Sequence, residues 1–483
     1  MKLSFLFSFI LISSLVILSF LIPDFQIGNL EIKKPDIISD IGFIFKEKES
    51  DSVARNNIME LNFENDNDSV IAAFESEFLV KDFRKDSLGF LARFFSALRK
   101  TETDGTKTRI AFFGDSMIEG DLISSTLRYK LQKKFGGAGV GFVSAVDNIA
   151  GFRKTIYHTS SNNWKTNSIL QPGFVSKTGI SGYVFNPAII SGSKSGSKSG
   201  DSSISNSLSK VLFKPANDSY DNLMAFDFVK LYYSYSSPAN YISVENGSLK
   251  RFELEGKNIV NELFINKGNT INSIQVYFHT TSPVDIYGFS FETEKGVYVD
   301  NFSMRGNSGI PLSQMNPEII KGFNDKFNYN LIVLQYGLNI ASPDAKDVNW
   351  YKEKMISVIN YFRNLIPNAD ILILSVNDKS YRKGGAMITE PVIPKIVEIQ
   401  KQIAEETGTA FWNLFEAMGG KNSMSRWVKS KPPLANKDYT HFNREGAEKA
   451  GTFLYKQLMY HYNKSKTGRN GFESTVRGKN HNK

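Results

Sequence analysis

Three short runs of the chain, "RIAFFGDS" from Arg109, "NLIVLQYG" at 330–337 and "ADILILSV" at 369–376, each hold four consecutive apolar residues followed within a few positions by a polar turn. Runs of this length suit strands covered on both faces, the condition met in parallel sheets. Helical patterns lie between them. "LISSTLRYKLQKKFGG" places Ile123, Leu127, Leu131 and Phe135 on one stripe and closes at Gly136 or Gly137. "LARFFSALRK" predicts a helix ahead of the first strand, and "PKIVEIQKQIAEETG" and "NREGAEKAGTFLYKQLMYH" predict later ones. Strands alternating with helices predict an α/β domain built on a parallel sheet.

From about residue 150 to 303 the grammar changes. "FVKLYYSYSS", "SLKRFELEG", "NSIQVYFHTTS", "VDIYGFSFE" and "GVYVDNF" are short alternating runs rich in aromatic and β-branched residues. This spacing predicts a β-sandwich of jelly-roll type inserted into the α/β domain. Its aromatics Tyr232, Tyr233 and Tyr235 are read as core. Residues 191–207, "SGSKSGSKSGDSSISNS", have the composition of a flexible loop. The α/β domain is thus split into 67–149 and 304–462, with 24–66 a spacer and 463–483 a disordered basic tail.

Residues 3–22 are uncharged and long enough to cross a bilayer as a helix. No small-residue cleavage site follows, so residues 1–23 are expected to form a transmembrane anchor rather than a cleaved signal, with the body on the exported side of a bacterial envelope. The chain has no cysteine, which excludes disulfides, thiolate metal sites and a cysteine nucleophile. Its net charge of +9 is concentrated near the end: from Lys464 onward there are six Lys or Arg against one Glu. That placement argues against nucleic acid as a partner. No His, Asp and Glu cluster has metal-ligand spacing, and no cofactor is implied.

With five histidines in 483 residues, the search for a catalytic base is short. His158 is assigned to a polar loop, His279 to the polar face of a strand, and His461 and His481 to the last helix and tail. In "KDYTHFNREG", Asp438 precedes His441 by three residues, a spacing that lets the carboxylate reach the imidazole and fix its tautomer. Ser116 ends the first apolar strand before a helix, where crevices form in open α/β sheets and backbone N–H groups face developing negative charge. The stretch lacks the second glycine of the G-x-S-x-G elbow, since Ile118 holds that position. In "LQYGLNIAS", Asn339 follows another apolar strand, where its amide can donate to an oxyanion. In "SMRGNSGIPL", Gly306 and Gly309 bracket a turn, and either leaves a backbone N–H accessible for the same purpose.

Ser, Gly, Asn and His in this order, with GDS after the first strand, G-x-N after a middle strand and D-x-x-H near the end, resemble the SGNH (GDSL) hydrolase superfamily. The resemblance covers about residues 105–460. It implies a three-layer α/β/α sandwich with Ser116 as nucleophile, His441 as general base and acid, and Asp438 as its orienting partner. Gly309 and Asn339 would donate to the oxyanion together with the Ser116 backbone N–H, with Gly306 the alternative to Gly309. "GDSMIEGDLISSTLRYKLQKKFGGAGVGFV" and "SFETEKGVYVDNFSMRGNSG" are similar to exported peptidoglycan O-acetylesterases, which carry a β, carbohydrate-binding-like insert. The implied activity is removal of O-acetyl groups from an envelope glycan. Two alternatives stand beside it: an O-acetyltransferase using the same residues, and a non-catalytic glycan-binding protein. One departure is Met117, where those esterases tend to have a polar residue.

Overall fold

The computed structural model describes residues 25–27, 30–32, 80–84, 89–147, 153–173, 177–190, 208–216, 220–345 and 347–479, with side chains of the last helix described to residue 466. The expected anchor and the serine-rich loop 191–207 lie outside the described residues, as does nearly all of the spacer. Among the described residues no helix is long and apolar enough to cross a membrane.

Two short strands, β1 (Phe25–Ile27) and β2 (Leu30–Ile32), pair with each other. The body begins with β3 (Lys81–Asp82), followed by α1 (Ala92–Asp104), β4 (Lys107–Gly114) and α2 (Leu122–Phe135). The uninterrupted apolar runs do form the central strands. β4, β16 (Gly296–Ser303), β17 (Leu331–Gln335), β18 (Asp370–Leu374) and β21 (Ala410–Trp412) make one parallel sheet in the order β16-β4-β17-β18-β21, with β3 antiparallel at the edge. Every residue of β17 and β18 is buried, as strands sandwiched between helices must be. The covering helices include α3 (Pro317–Phe327), α4 (Trp350–Leu365) and α5 (Ile393–Thr407); the short α6 (Leu414–Ala417) and α7 (Ser423–Lys429) precede α8 (Arg444–Lys479). α8 runs on through residues read from sequence as tail, after Tyr462 packs against Phe95 and Phe135 of the neighbouring helices.

β19 (Ser380–Lys383) and β20 (Ala386–Thr389) pair as a separate antiparallel hairpin. The inserted strands form two antiparallel sheets. One contains β5 (Gly141–Ser144), β7 (Lys165–Ser168), β8 (Tyr183–Asn186), β10 (Phe226–Tyr233), β13 (Asn261–Ile271) and β15 (Ile286–Glu292). The other contains β6 (Ile156–Ser160), β9 (Ser209–Pro215), β11 (Tyr241–Asn246), β12 (Ser248–Glu253) and β14 (Ile274–His279). A separate apolar core, including Phe213, Phe289 and Phe291, fills the space between them. β5 and β16 exchange places relative to the sequence pattern: β5 pairs with β15 of the insert, and β16 joins the parallel sheet beside β4.

A buried polar cluster ties the two units. Arg109 of β4, fully enclosed, pairs with Glu292 of β15 at 2.6 Å and with Asp300 of β16, and donates to Ser290 at 2.9 Å. His158 proves to be buried in β6, its Nε2 3.0 Å from the Ala145 carbonyl oxygen, rather than in a loop. Its inward register beside Ile156 is the period-two pattern that the polar residues around it obscured. Of the three tyrosines, Tyr232 and Tyr233 are core, but Tyr235 is 60% exposed because it lies just beyond the end of β10.

Candidate active site

β4 ends at Gly114, a position where a side chain would strike Ile118 at 2.8 Å and the Gln335 carbonyl at 3.1 Å. The turn that follows carries Asp115, Ser116 and Met117 to the carboxyl end of the sheet. A buried network beneath it fixes that turn. Asp121 receives Arg128 at 2.8 Å, Arg153 at 3.1 Å and the Thr155 hydroxyl at 2.7 Å, while the Asn301 amide donates to the Ile118 carbonyl at 2.8 Å. Burial alone would raise the Asp121 carboxyl, but Arg128 and Arg153 hold it well below the usual carboxylate range.

Ser116 and His441 are 325 positions apart in sequence, yet Ser116 Oγ lies 2.8 Å from His441 Nε2. On the other side of the ring, His441 Nδ1 is 2.7 Å from Asp438 Oδ2. The second carboxylate oxygen of Asp438 accepts from the backbone N–H groups of Thr440 and His441, both at 3.0 Å. The three-residue spacing therefore works through a tight loop in which one carboxylate both shapes the turn and orients the ring. Asn377 donates to the Thr440 carbonyl at 3.0 Å, and the Ser380 N–H donates to the Tyr439 carbonyl at 3.0 Å, pinning the loop from below. Burial raises the Asp438 carboxyl, but hydrogen bonds from His441 and the loop outweigh it and leave its pKa lowered. With Nδ1–H directed at that carboxylate, Nε2 is left to accept the Ser116 proton. His441 and Asp438 side chains remain 30% and 47% exposed, so the triad opens to solvent rather than into an enclosed cavity.

Asn339 sits in the turn after β17 and reaches the turn that carries Ser116. Its amide donates to Asp115 Oδ2 at 3.0 Å and to the Asn307 carbonyl at 3.0 Å. Gly309 is held at φ 89°, where an added Cβ would meet the Tyr336 ring at 2.8 Å, and its N–H donates to Asn307 Oδ1 at 2.8 Å. Gly306 is exposed, with open space about it. Asn307 thus binds both the Asn339 amide and the Gly309 N–H, so its side chain must turn away before the Gly309 N–H can serve an oxyanion.

Asp115 and Asn307 were not singled out from sequence as parts of the site. Both are buried, and each lies beside a residue that was: Asp115 before Ser116, Asn307 between the two glycines. Burial pushes the Asp115 carboxyl up to about 6 against the Met117 N–H, His441 and Asn339, which favour its charged form. Met117, the departure from the esterase pattern, is 4% exposed and packs into the apolar core.

No family model matches the chain, and no curated protein sequence does. A solved structure described as a peptidoglycan O-acetylesterase in action superposes with a TM-score of 0.62 over 80% of this chain and 99% of its own, at 20% identity. At that identity the likeness is one of fold. An acetyl xylan esterase (15% identity, 34% of this chain and 81% of that chain, TM-score 0.26) and a family two carbohydrate esterase from Cellvibrio japonicus (8%, 53% and 88%, TM-score 0.20) align too loosely to carry an argument.

Proposed function

We propose that this SGNH-like chain is a serine esterase that removes O-acetyl groups from a carbohydrate of the bacterial cell envelope, with peptidoglycan the first substrate to test. The observation that carries the reading is the hydrogen-bonded line Ser116–His441–Asp438 at the carboxyl end of β4. His441 Nε2 takes the hydroxyl proton as Ser116 Oγ attacks the acetyl carbonyl. The negative charge that develops on the carbonyl oxygen is met by the Ser116 N–H, the Gly309 N–H and the Asn339 amide, Asn307 and Asp115 giving way as it forms. Collapse expels the sugar alkoxide, which His441 protonates. A water deprotonated by His441 then attacks the acyl-serine, releasing acetate and restoring the hydroxyl.

The choice of substrate is supported by the shared fold with the peptidoglycan O-acetylesterase and by the exposure of the triad, which leaves room for a polymer to lie across it. The apolar run 3–22 would hold the enzyme at the membrane, with its body on the exported side. The test is acetate release from O-acetylated peptidoglycan by the full chain and by Ser116→Ala. Turnover that vanishes in the variant, with its thermal unfolding unchanged, is expected. Undiminished acetate release from Ser116→Ala would remove the serine from the chemistry.

A further inference from the structure

We propose that the pole of the molecule opposite Ser116, where α1, α2 and the described side chains of α8 end, is a docking surface for an anionic lipid membrane and turns the active site away from the bilayer. The inference is independent of the chemistry assigned to Ser116.

The direction of the strands locates this pole. All the parallel strands point their carboxyl ends toward the nucleophile turn, so their first residues, Lys107 and Asp370 among them, mark the far end. α2 leaves the nucleophile turn and α8 leaves the His441 loop, and both run away from the site. From Arg444 to Lys466 the helix rises about 33 Å. There it meets its neighbours: the Tyr462 ring packs edge-on against Phe135 of α2 and Phe95 of α1, and Lys466 lies 2.6 Å from Glu102 of α1.

Six cations gather on these converging ends: Arg99 and Lys100, Lys133 and Lys134, Lys464 and Lys466. The acids on these ends are Glu102, Asp104 and the neighbouring Asp221, the last paired with Lys133 at 2.8 Å, and the exposed turn Glu294–Lys295 beside them adds one charge of each sign. Over their described side chains, α1, α2 and α8 carry twelve Lys or Arg and four Asp or Glu, whereas α3, α4 and α5 carry seven and six.

Two further observations select lipid among anionic partners. Lysines lie over half-buried tyrosines here: Lys133 is 5.5 Å over the Tyr129 ring and Lys464 5.9 Å over Tyr460. Amphipathic rings and long cationic stems suit the headgroup layer. The chain also enters the described body at this pole. β3 pairs with the beginning of β21, Asp82 opposite Ala410, and Arg84 binds Asp370, the first residue of β18, at 2.6 Å. The uncharged run 3–22 belongs to the sequence that precedes this entry. Each cation brought to an anionic leaflet strengthens partitioning about fivefold, an effect that salt screens.

The absence of cysteine makes single-site labelling direct. The full chain is reconstituted with phosphatidylcholine vesicles, with or without phosphatidylglycerol. It carries a donor dye at Thr103→Cys, on the exposed end of α1, or at Lys383→Cys, on an exposed hairpin whose Ser380 binds the Tyr439 carbonyl of the catalytic loop. Energy transfer to a headgroup acceptor is expected to be several-fold higher from position 103 than from 383 when phosphatidylglycerol is present. The difference is expected to disappear in high salt and in Lys133→Glu/Lys134→Glu, while hydrolysis of a soluble acetyl ester by that variant stays unchanged. Equal transfer from both positions, or a difference indifferent to lipid charge, overturns the proposal. Binding of soluble polyphosphate without any response to the vesicles also overturns it, in favour of a polyanion. Orientation on anionic vesicles by a chain that does not stay with neutral ones supports the docking surface and removes the anchor at 3–22.

Discussion

Ser116, His441 and Asp438 form a line of two hydrogen bonds, and the residues beside that line determine what it can stabilise. Asn339→Ala is expected to lower kcat roughly 10²–10³-fold with KM little changed, since an oxyanion donor acts in the transition state. Steady-state kinetics on an acetyl ester checks this. Asp115 gives a second test, through stability. With its pKa raised to about 6, the folded chain keeps this proton while the unfolded chain releases it near pH 4. The contribution of this group to stability therefore falls as pH rises from about 4 to 6 and is constant above, a change on the order of 3 kcal/mol. Denaturant unfolding across that range should show the decline in the parent chain, and Asp115→Asn should lack it.

The nucleophile turn depends on the charged cluster beneath it. Asp121→Ala would leave Arg128 and Arg153 enclosed without their carboxylate, a loss of about 3–5 kcal/mol measurable by chemical denaturation. The elements around that turn were legible because their patterns are local: unbroken apolar runs gave β4, β17 and β18, and a 3.6-residue stripe gave α2. β16 was less legible, because "GVYVDNF" alternates like an insert strand while nearly every residue of β16 is buried beside β4. Short-range pattern does not record which sheet a strand joins. The Asp438–His441 spacing could be read because both groups act within one loop. The roles of Asn307 and Asp115 could not, since each depends on contacts made across the fold.

At the scale of the molecule, the same limit applies to charge. Sequence order placed the excess near the end of the chain, whereas the fold gathers cations from α1 and α2 beside those of α8, at the pole remote from the site. The site itself is assembled from the two halves of the α/β domain, with Ser116 ahead of the insert and Gly309, Asn339, Asp438 and His441 after it. All of this serves one claim, that Ser116 is a nucleophile activated by His441. Labelling with a fluorophosphonate, read by peptide mass spectrometry, tests it most directly. A phosphonyl adduct on Ser116, lost in Ser116→Ala and strongly slowed in His441→Ala, is the predicted result. An adduct on another residue, or labelling indifferent to His441, would contradict it.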